Sequence, residues 1–460
     1  MSGERQQVLG KDPAAAPAMK RVLTRWDLIL YGLVILTPTA PYPVYGIIQQ
    51  ESRGHAALSY VVAMVAMLFT AASYAKMAAA YPSAGSTYTY VQRTLTPYIG
   101  FLAGWAMILD YFLIPLESVI YAALTAARLA PVVPYIIWIL LFTGVITFVN
   151  VRGIRIMARA NTTMMIAMTG CAVLFIGLAA RFVTVHQGAV GLLSMSGLFR
   201  PDTFAVRPLM LGAAIATLSY IGFDAISTLA EDSVRPERDI GFSTILVCIL
   251  QAAICVATVY LAALVWPNYH TFPQSETAIL DVGLRIGGSL LFGLLTFVLL
   301  IAGIASALTG QAGASRLLFA MGRDGVISRR IFAYVHPRYA TPTRAVYVIS
   351  LVSLCGALTM RFQIAIELLN FGAFAGFVLV NLSVIQHYFI RLHERTGWGI
   401  VRNLLFPLMG ALVCGYVWMN LSGKAKIVGF LWLGAGTAYL AIVTRGFKNR
   451  PKELDFGESK

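Results

Sequence analysis

The sequence predicts an all-α membrane protein of twelve transmembrane helices, two inverted five-helix repeats followed by two peripheral helices. Three observations lead there. Of 460 residues, 58% are hydrophobic and only 12% are charged, about half the charged share of a soluble domain. Twelve apolar runs have the length needed to cross the hydrocarbon core. Lys and Arg alternate between the two sides of those runs, 26 against 9, as orientation by basic loops requires. The composition also excludes disorder, which needs many charges and few aromatics. Size and five scattered cysteines exclude a small disulfide scaffold.

The elements follow in order. Residues 1–26 are polar, carry Pro13 and Pro17, and start no apolar stretch with a cleavage site. They read as a short flexible cytoplasmic tail with no removable signal peptide. The apolar runs fall near 27–49, 56–80, 97–127, 134–150, 161–180, 208–230, 241–266, 286–315, 345–360, 365–388, 404–421 and 427–444. An even number puts both ends of the chain on one side, and the basic excess makes that side the cytoplasm. The +15 net charge, which would suggest nucleic acid in a soluble protein, thus becomes an orientation signal. Residues 447–460 form the second cytoplasmic tail. Cys171, Cys248, Cys255, Cys355 and Cys414 all lie in apolar runs without a Cys-x-x-Cys pair and read as small residues facing packed helices. His55, His186, His270 and His336 read as loop residues.

Two runs are interrupted. The first contains Thr37-Pro38-Thr39-Ala40-Pro41-Tyr42-Pro43, and three prolines cannot sit in one continuous helix. The sixth contains Ser219-Tyr220-Ile221-Gly222-Phe223-Asp224, a glycine beside a carboxylate at mid-depth. Helix breaks are therefore expected at Pro38, Pro41, Pro43 and Gly222. Interrupted helices at matching places in two halves mark an inverted-repeat transporter. The repeats would cover 27–180 and 208–388, with peripheral helices over 404–444. Kinks of ordinary membrane helices are the alternative reading.

The segments between the runs carry a resemblance. Tyr81-Pro82-Ser83-Ala84-Gly85-Ser86-Thr87-Tyr88-Thr89-Tyr90 follows the second run, and Glu231-Asp232-Ser233-Val234-Arg235-Pro236-Glu237-Arg238-Asp239-Ile240 follows the sixth. Ser315 to Gly325 ends the eighth, and Thr341-Pro342 precedes the ninth. Their order and spacing over residues 20–446 resemble the amino acid–polyamine–organocation superfamily of permeases. Gly104-Trp105, Leu109-Asp110-Tyr111, Gly222-Phe223-Asp224, Met321 to Val326, Asn370-Phe371-Gly372-Ala373 and Asn381 to Ile385 are most similar to bacterial putrescine importers. The resemblance implies a leucine-transporter-type fold and secondary active uptake. It also implies a substrate pocket between the broken first and sixth spans and spans three, eight and ten.

Acidic residues inside a membrane are functional by default. Asp110 and Glu117 lie in the third run, Asp224 in the sixth, Glu367 early in the tenth; Asp27 stands at the mouth of the first. Asp110 and Glu117 are seven residues apart, about 20° short of two turns, so they share a helix face about 10 Å apart along the axis. No Lys or Arg at mid-depth neutralises them. They face a cavity that holds a cation, they are protonated, or they make helix–helix hydrogen bonds. Glu117 departs from the putrescine-importer pattern, which has an apolar residue there. Asp224 has one further reading, a hydrogen bond to unwound backbone, and Glu367 another, a position at the rim.

Prolines have no N–H, so the first break is a poor trap for a substrate carboxylate, which related permeases bind on a glycine-rich break. An amine without an α-carboxylate is expected, putrescine or a relative. Tyr42, Tyr45, Tyr111, Tyr220 and Phe223 are candidates for a cation–π box around Gly222, although each ring alone also fits ordinary packing. Asp224 and Glu117 are candidates for proton coupling, and Ser306 and Thr309 for a Na⁺ site, with proton symport preferred. Residues 161–180 contain no lysine, which excludes the lysine-based coupling of some relatives. The rivals are a cationic or neutral amino acid permease and an amine/precursor exchanger. No nucleophile–base pair, metal-ligand spacing or phosphate loop is present, so neither enzyme activity, a metal nor another cofactor is expected. The expected partners are a small amine, a coupling proton or Na⁺ and the bilayer, in a multi-pass cell membrane protein.

Overall fold

The computed structural model describes residues 23–82, 86–152, 157–230, 233–323, 327–339 and 341–449. Parts of the quoted motifs (83–85, 231–232 and 324–326) and most of both tails lie outside the described residues. In chain order the α-helices are α1 Arg25–Leu36, α2 Tyr45–Glu51, α3 Ala56–Ala80, α4 Ser86–Thr94, α5 Pro97–Leu129, α6 Tyr135–Arg152, α7 Met157–Gln187 and α8 Val206–Ala216. They continue as α9 Pro236–Val265, α10 Ala278–Arg323, α11 Arg329–Phe332, α12 Thr343–Thr359, α13 Phe362–Val384, α14 Trp398–Ile400, α15 Phe406–Met419 and α16 Gly423–Val443. Among the described residues ten helical segments are long and apolar enough to cross a bilayer, and α12 is a shorter apolar helix.

Each predicted run corresponds to helix, and the differences lie at the ends. The eighth run extends to Ala278–Arg323 with a kink at Gly288, φ +64°. The tenth relaxes at its end into a π-helical stretch, Ile385–Arg391. Helix α4, which is polar on one face, was outside the apolar pattern altogether. An isolated parallel bridge pairs Leu23 with Ser233, tying the chain before the first span to the chain after the sixth.

The bundle is sorted by burial. The most apolar window of the tenth run, α13, is 78% buried, whereas α16 is only 17% buried. In a bilayer the exposed apolar faces of the outer helices meet lipid rather than water. Close helix approach relies on small residues. A Cβ added at Gly372 of α13 would stand 2.5 Å from the Ala106 carbonyl oxygen of α5. One at Gly241 of α9 would stand 2.7 Å from the Ala75 Cβ of α3.

Two expectations are corrected. Cys355 is exposed, unlike the other four cysteines; it occupies the outward face of α12, where an apolar thiol meets lipid without cost. His55 does lie in the loop before α3, but buried, whereas His186 is helical. His55 is fully buried. Its Nδ1 lies 2.8 Å from the Ser52 carbonyl and its Nε2 3.1 Å from the Arg200 carbonyl, between the rings of Phe199 and Phe204. His186 sits in the last turn of α7, where a cationic or polar ring suits the unpaired carbonyls.

Candidate functional site

The first span breaks where the prolines stand. Helix α1 ends at Leu36, Thr37 takes φ +49°, and α2 begins only at Tyr45. Inside the break, the Ala40 N–H donates to the Thr37 carbonyl at 3.1 Å and the Tyr42 N–H to the Thr39 carbonyl at 3.0 Å. Two of the donors that Pro38, Pro41 and Pro43 leave are therefore turned inward. The carbonyl ends of α1 are held from outside by Gln251 of α9, whose Nε2 donates to Leu36 O at 3.2 Å and Thr37 O at 3.0 Å.

The sixth span breaks at Gly222. Helix α8 gives way to 3₁₀ turns at Thr217–Tyr220 and Phe223–Leu229, with Gly222 between them at φ +117°. Only glycine reaches that conformation without strain, and a Cβ here would also stand 2.4 Å from Ile35 Cγ2 of α1. The two breaks thus touch. Asp224 follows at once. Its carboxylate interacts with the backbone N–H groups of Gly222, Ala225 and its own residue, so the reading as a backbone clamp is realised. Ser227 donates to the Asp224 carbonyl at 2.6 Å and meets Ser86 of α4 at 2.8 Å.

Helix α5 presents the other carboxylates. Asp110 is 7% exposed, and its Oδ1 has no hydrogen-bond partner among the described residues. Asp224 and Glu117 both lie within its electrostatic range. Tyr111, beside it, is 41% exposed, lies against Gly313 of α10, and is in range of Asp224, Asp110 and Tyr31. Pro115 sits inside α5 and deprives the Tyr111 carbonyl of its helical donor, leaving one more acceptor near the acids. One layer further along, Ser118 donates to Glu117 Oε1 at 2.9 Å and is 3.1 Å from Ser306 of α10. Among the described residues none of these three carboxylates pairs with Lys or Arg.

The structure thus puts Asp110 and Tyr111 within electrostatic range of Asp224, which follows Gly222 closely, and separately links Glu117 to Ser306 through Ser118. It does not gather the remaining rings. Tyr42 packs on Phe175 of α7 and Tyr45 on Phe272. Tyr220 donates to the Tyr60 carbonyl, 3.2 Å away. Phe223 lies between Tyr74 and Phe377. All four are buried among different neighbours. Thr309 donates to the Ala305 carbonyl of its own helix at 3.0 Å. Glu367 is buried with both oxygens satisfied, by Gln363 at 3.0 Å and the Ser422 N–H at 2.8 Å, and ties α13 to α16. Asp27 is exposed and closes a capping box with Thr24.

Sequence reading missed Tyr31, Tyr74 and Tyr90, all within range of Asp224, and Gln251. Gln251 had a signal, a fully buried-type amide in an otherwise apolar run. The tyrosines had none, since 21 are spread through the chain.

The Amino acid permease family matches residues 44–446. The chain is 32% identical to the low-affinity putrescine importer PlaP of Escherichia coli, over 94% of this chain and 95% of that protein. It is 29% identical to the branched-chain amino acid permease BcaP of Bacillus subtilis, over 93% and 94%. It is 27% identical to the cationic amino acid transporter 4, vacuolar, of Arabidopsis thaliana, over 80% and 63%. With the multi-span helical bundle and its paired breaks already established, these likenesses make the chain a membrane transporter of the amino acid permease family, within the amino acid–polyamine–organocation superfamily.

Proposed function

We propose that this chain imports a small organic amine cation, putrescine or a close relative, by proton symport across the cytoplasmic membrane. The observation that carries the reading is the buried, unpartnered Oδ1 of Asp110, close to Asp224 and beside the accessible Tyr111. A carboxylate held at mid-membrane without a counter-ion calls for a cation or a proton. The inward-turned donors of the proline break support the same substrate, because an α-carboxylate would find few N–H groups there. The 32% identity to a putrescine importer agrees with this reading.

In this reading there are twelve spans, with repeats over 27–180 and 208–388, peripheral helices over 404–444 and both ends in the cytoplasm. The touching breaks at Thr37–Val44 and Gly222 form the fulcrum. The helical bundle that contains them rocks against the rest, and the substrate stays between Asp110 and Asp224 while access alternates. Asp224, tied to the backbone of the break, and Glu117, tied through Ser118 to Ser306, are the two groups placed to exchange a proton. Amino acid transport is the rival reading, drawn from the 29% and 27% identical relatives.

Uptake into proteoliposomes separates them. Putrescine or an alkylamine should be taken up with an imposed pH gradient, in preference to arginine, leucine and glutamate. Preferred uptake of an amino acid would overturn the substrate assignment, and strict dependence on Na⁺ at fixed pH would overturn the coupling.

A further inference from the structure

A cleft of about 570 Å³ lies near the C-terminal end of α3. Its floor is α3, one wall is the start of α9, and the other is the chain from the end of the π-helical stretch through α14 into α15. Its chemistry is mixed in a particular way. Lys76 and Arg402 supply two cations, and Glu237 and Glu394 supply two carboxylates. Among the described residues none of the four is in an ion pair with another. Lys76 and Glu394 are instead bridged by a single amide. Asn403 accepts from the Lys76 ammonium through Oδ1 and donates from Nδ2 to Glu394 Oε2 at 3.0 Å. Lys76 Nζ also lies 4.8 Å from the Tyr388 ring centre, and Tyr388 donates to the Lys76 carbonyl at 3.2 Å.

The rest of the lining is apolar and opens outward. Phe406 is 39% exposed and Trp398 67%, the second being a residue type that settles at membrane interfaces. Gly241 and Ile245 line the cleft on α9, and the next residue at the same four-residue spacing, Ile249, is exposed. On α15, Met409 continues the exposed stripe past Phe406. The charged cleft thus runs into an apolar groove along the bundle flank.

We propose that this cleft binds one zwitterionic aminophospholipid, a phosphatidylethanolamine. Its phosphate meets Lys76 and Arg402, its primary ammonium meets Glu394 and Glu237, and an acyl chain follows the groove between α9 and α15. Two cations and two carboxylates around one opening are balanced for a headgroup of both signs, not for an anionic one. A quaternary ammonium would be too bulky and could not donate hydrogen bonds to the carboxylates. The proposal is independent of the transported substrate.

Native mass spectrometry of the purified full chain, titrated with dioleoyl phosphatidylethanolamine, phosphatidylglycerol or phosphatidylcholine, tests it. Phosphatidylethanolamine should be retained about tenfold more strongly than phosphatidylcholine. Lys76→Ala with Arg402→Ala should abolish that preference, and so should Glu237→Gln with Glu394→Gln. Ala79→Trp, which narrows the cleft without changing charge, should remove the bound lipid. If the lysine–arginine variant does not fold, Ala79→Trp and the exposed Glu237→Gln carry the test. Phosphatidylglycerol bound as well as or better than phosphatidylethanolamine would overturn the proposal. So would equal retention of all three lipids, or a preference that survives the substitutions.

Discussion

Replacing Asp110 by Asn separates the site's electrostatics from its shape. The amide is nearly isosteric, so the packing around Asp110 on α5 is kept. What changes is one negative charge. Asp110 and Glu117 are about 10 Å apart along α5, from seven residues at 1.5 Å rise. At an effective dielectric of 20, two unit charges at that distance repel by about 1.7 kcal/mol. Asp224 adds a second repulsive partner. Without substrate, the substitution should therefore leave the melting temperature unchanged or raise it. With substrate the sign reverses. A cation about 4 Å from the carboxylate gains about 4 kcal/mol at the same dielectric, part of which is offset by its own desolvation. A net loss of about 1.4–2.8 kcal/mol is expected, which is a 10- to 100-fold weaker dissociation constant for putrescine. Ligand-induced thermal shift and isothermal titration on wild type and Asp110→Asn measure both quantities. An affinity within twofold of wild type would refute a role for Asp110 in holding the cation. A lowered melting temperature of the unliganded variant would refute the claim that its Oδ1 is an unsatisfied group, and point to a helix–helix hydrogen bond.

Three further outcomes follow from the same geometry. Gly222→Ala places a Cβ 2.4 Å from Ile35 Cγ2 at φ +117°; it should cost about 2 kcal/mol and abolish uptake, and Ile35→Ala should restore only part of the melting temperature, because the backbone strain remains. Arg128→Met breaks the ion pair that joins α5 to Asp281 of α10. It leaves a carboxylate 6% exposed without its partner and should destabilise the protein by about 2 kcal/mol in thermal or denaturant unfolding, whereas Arg128→Met with Asp281→Leu should recover most of that loss. Pro41→Gly restores one backbone N–H to the first break, so competition assays should find arginine gaining on its decarboxylated analogue agmatine relative to wild type.

The extent to which the site was legible in the sequence depends on the kind of signal each residue carries. Membrane spans are legible because every residue in a run contributes to one sum; each of the twelve runs overlaps helix, and among the described residues ten segments, with α12 shorter, have the length and hydropathy of a span. Breaks are legible because Pro38, Pro41 and Pro43 lack a donor and Gly222 lacks a Cβ, both local properties. Asp110, Glu117 and Asp224 stand out because a carboxylate in an apolar run is improbable without a reason. Rings carry no such signal. Tyr42, Tyr45 and Tyr220 lie beside the breaks in sequence, yet their side chains pack on Phe175, Phe272 and Tyr60. Tyr31, on the face of α1 that approaches Asp224, differs from them only in direction. Direction is set by tertiary packing, and the apolar periodicity of a membrane helix does not encode it, because both its faces are apolar.

The two breaks divide the work between donors and acceptors, and that division bears on substrate charge. In the sixth span the free N–H groups at Gly222 and Ala225 are engaged by the chain's own Asp224. The protein has thus placed a carboxylate where a substrate carboxylate would otherwise sit. In the first span the prolines remove three donors, and the turns at Ala40 and Tyr42 use two of those that remain. Among the described residues the acceptors left without partners include Asp110 Oδ1 and the Tyr111 carbonyl above Pro115, while the donors left at the first break and in α2 are neutral, the Tyr42 and Tyr45 hydroxyls and Gln49 Nε2. A buried carboxylate oxygen among neutral donors attracts a cation more than an anion. The same fold with glycines in the first break and an apolar residue at Asp110 would have the opposite preference. In the proposed reading, substrate charge is set by a handful of positions at the breaks and not by the +15 net charge.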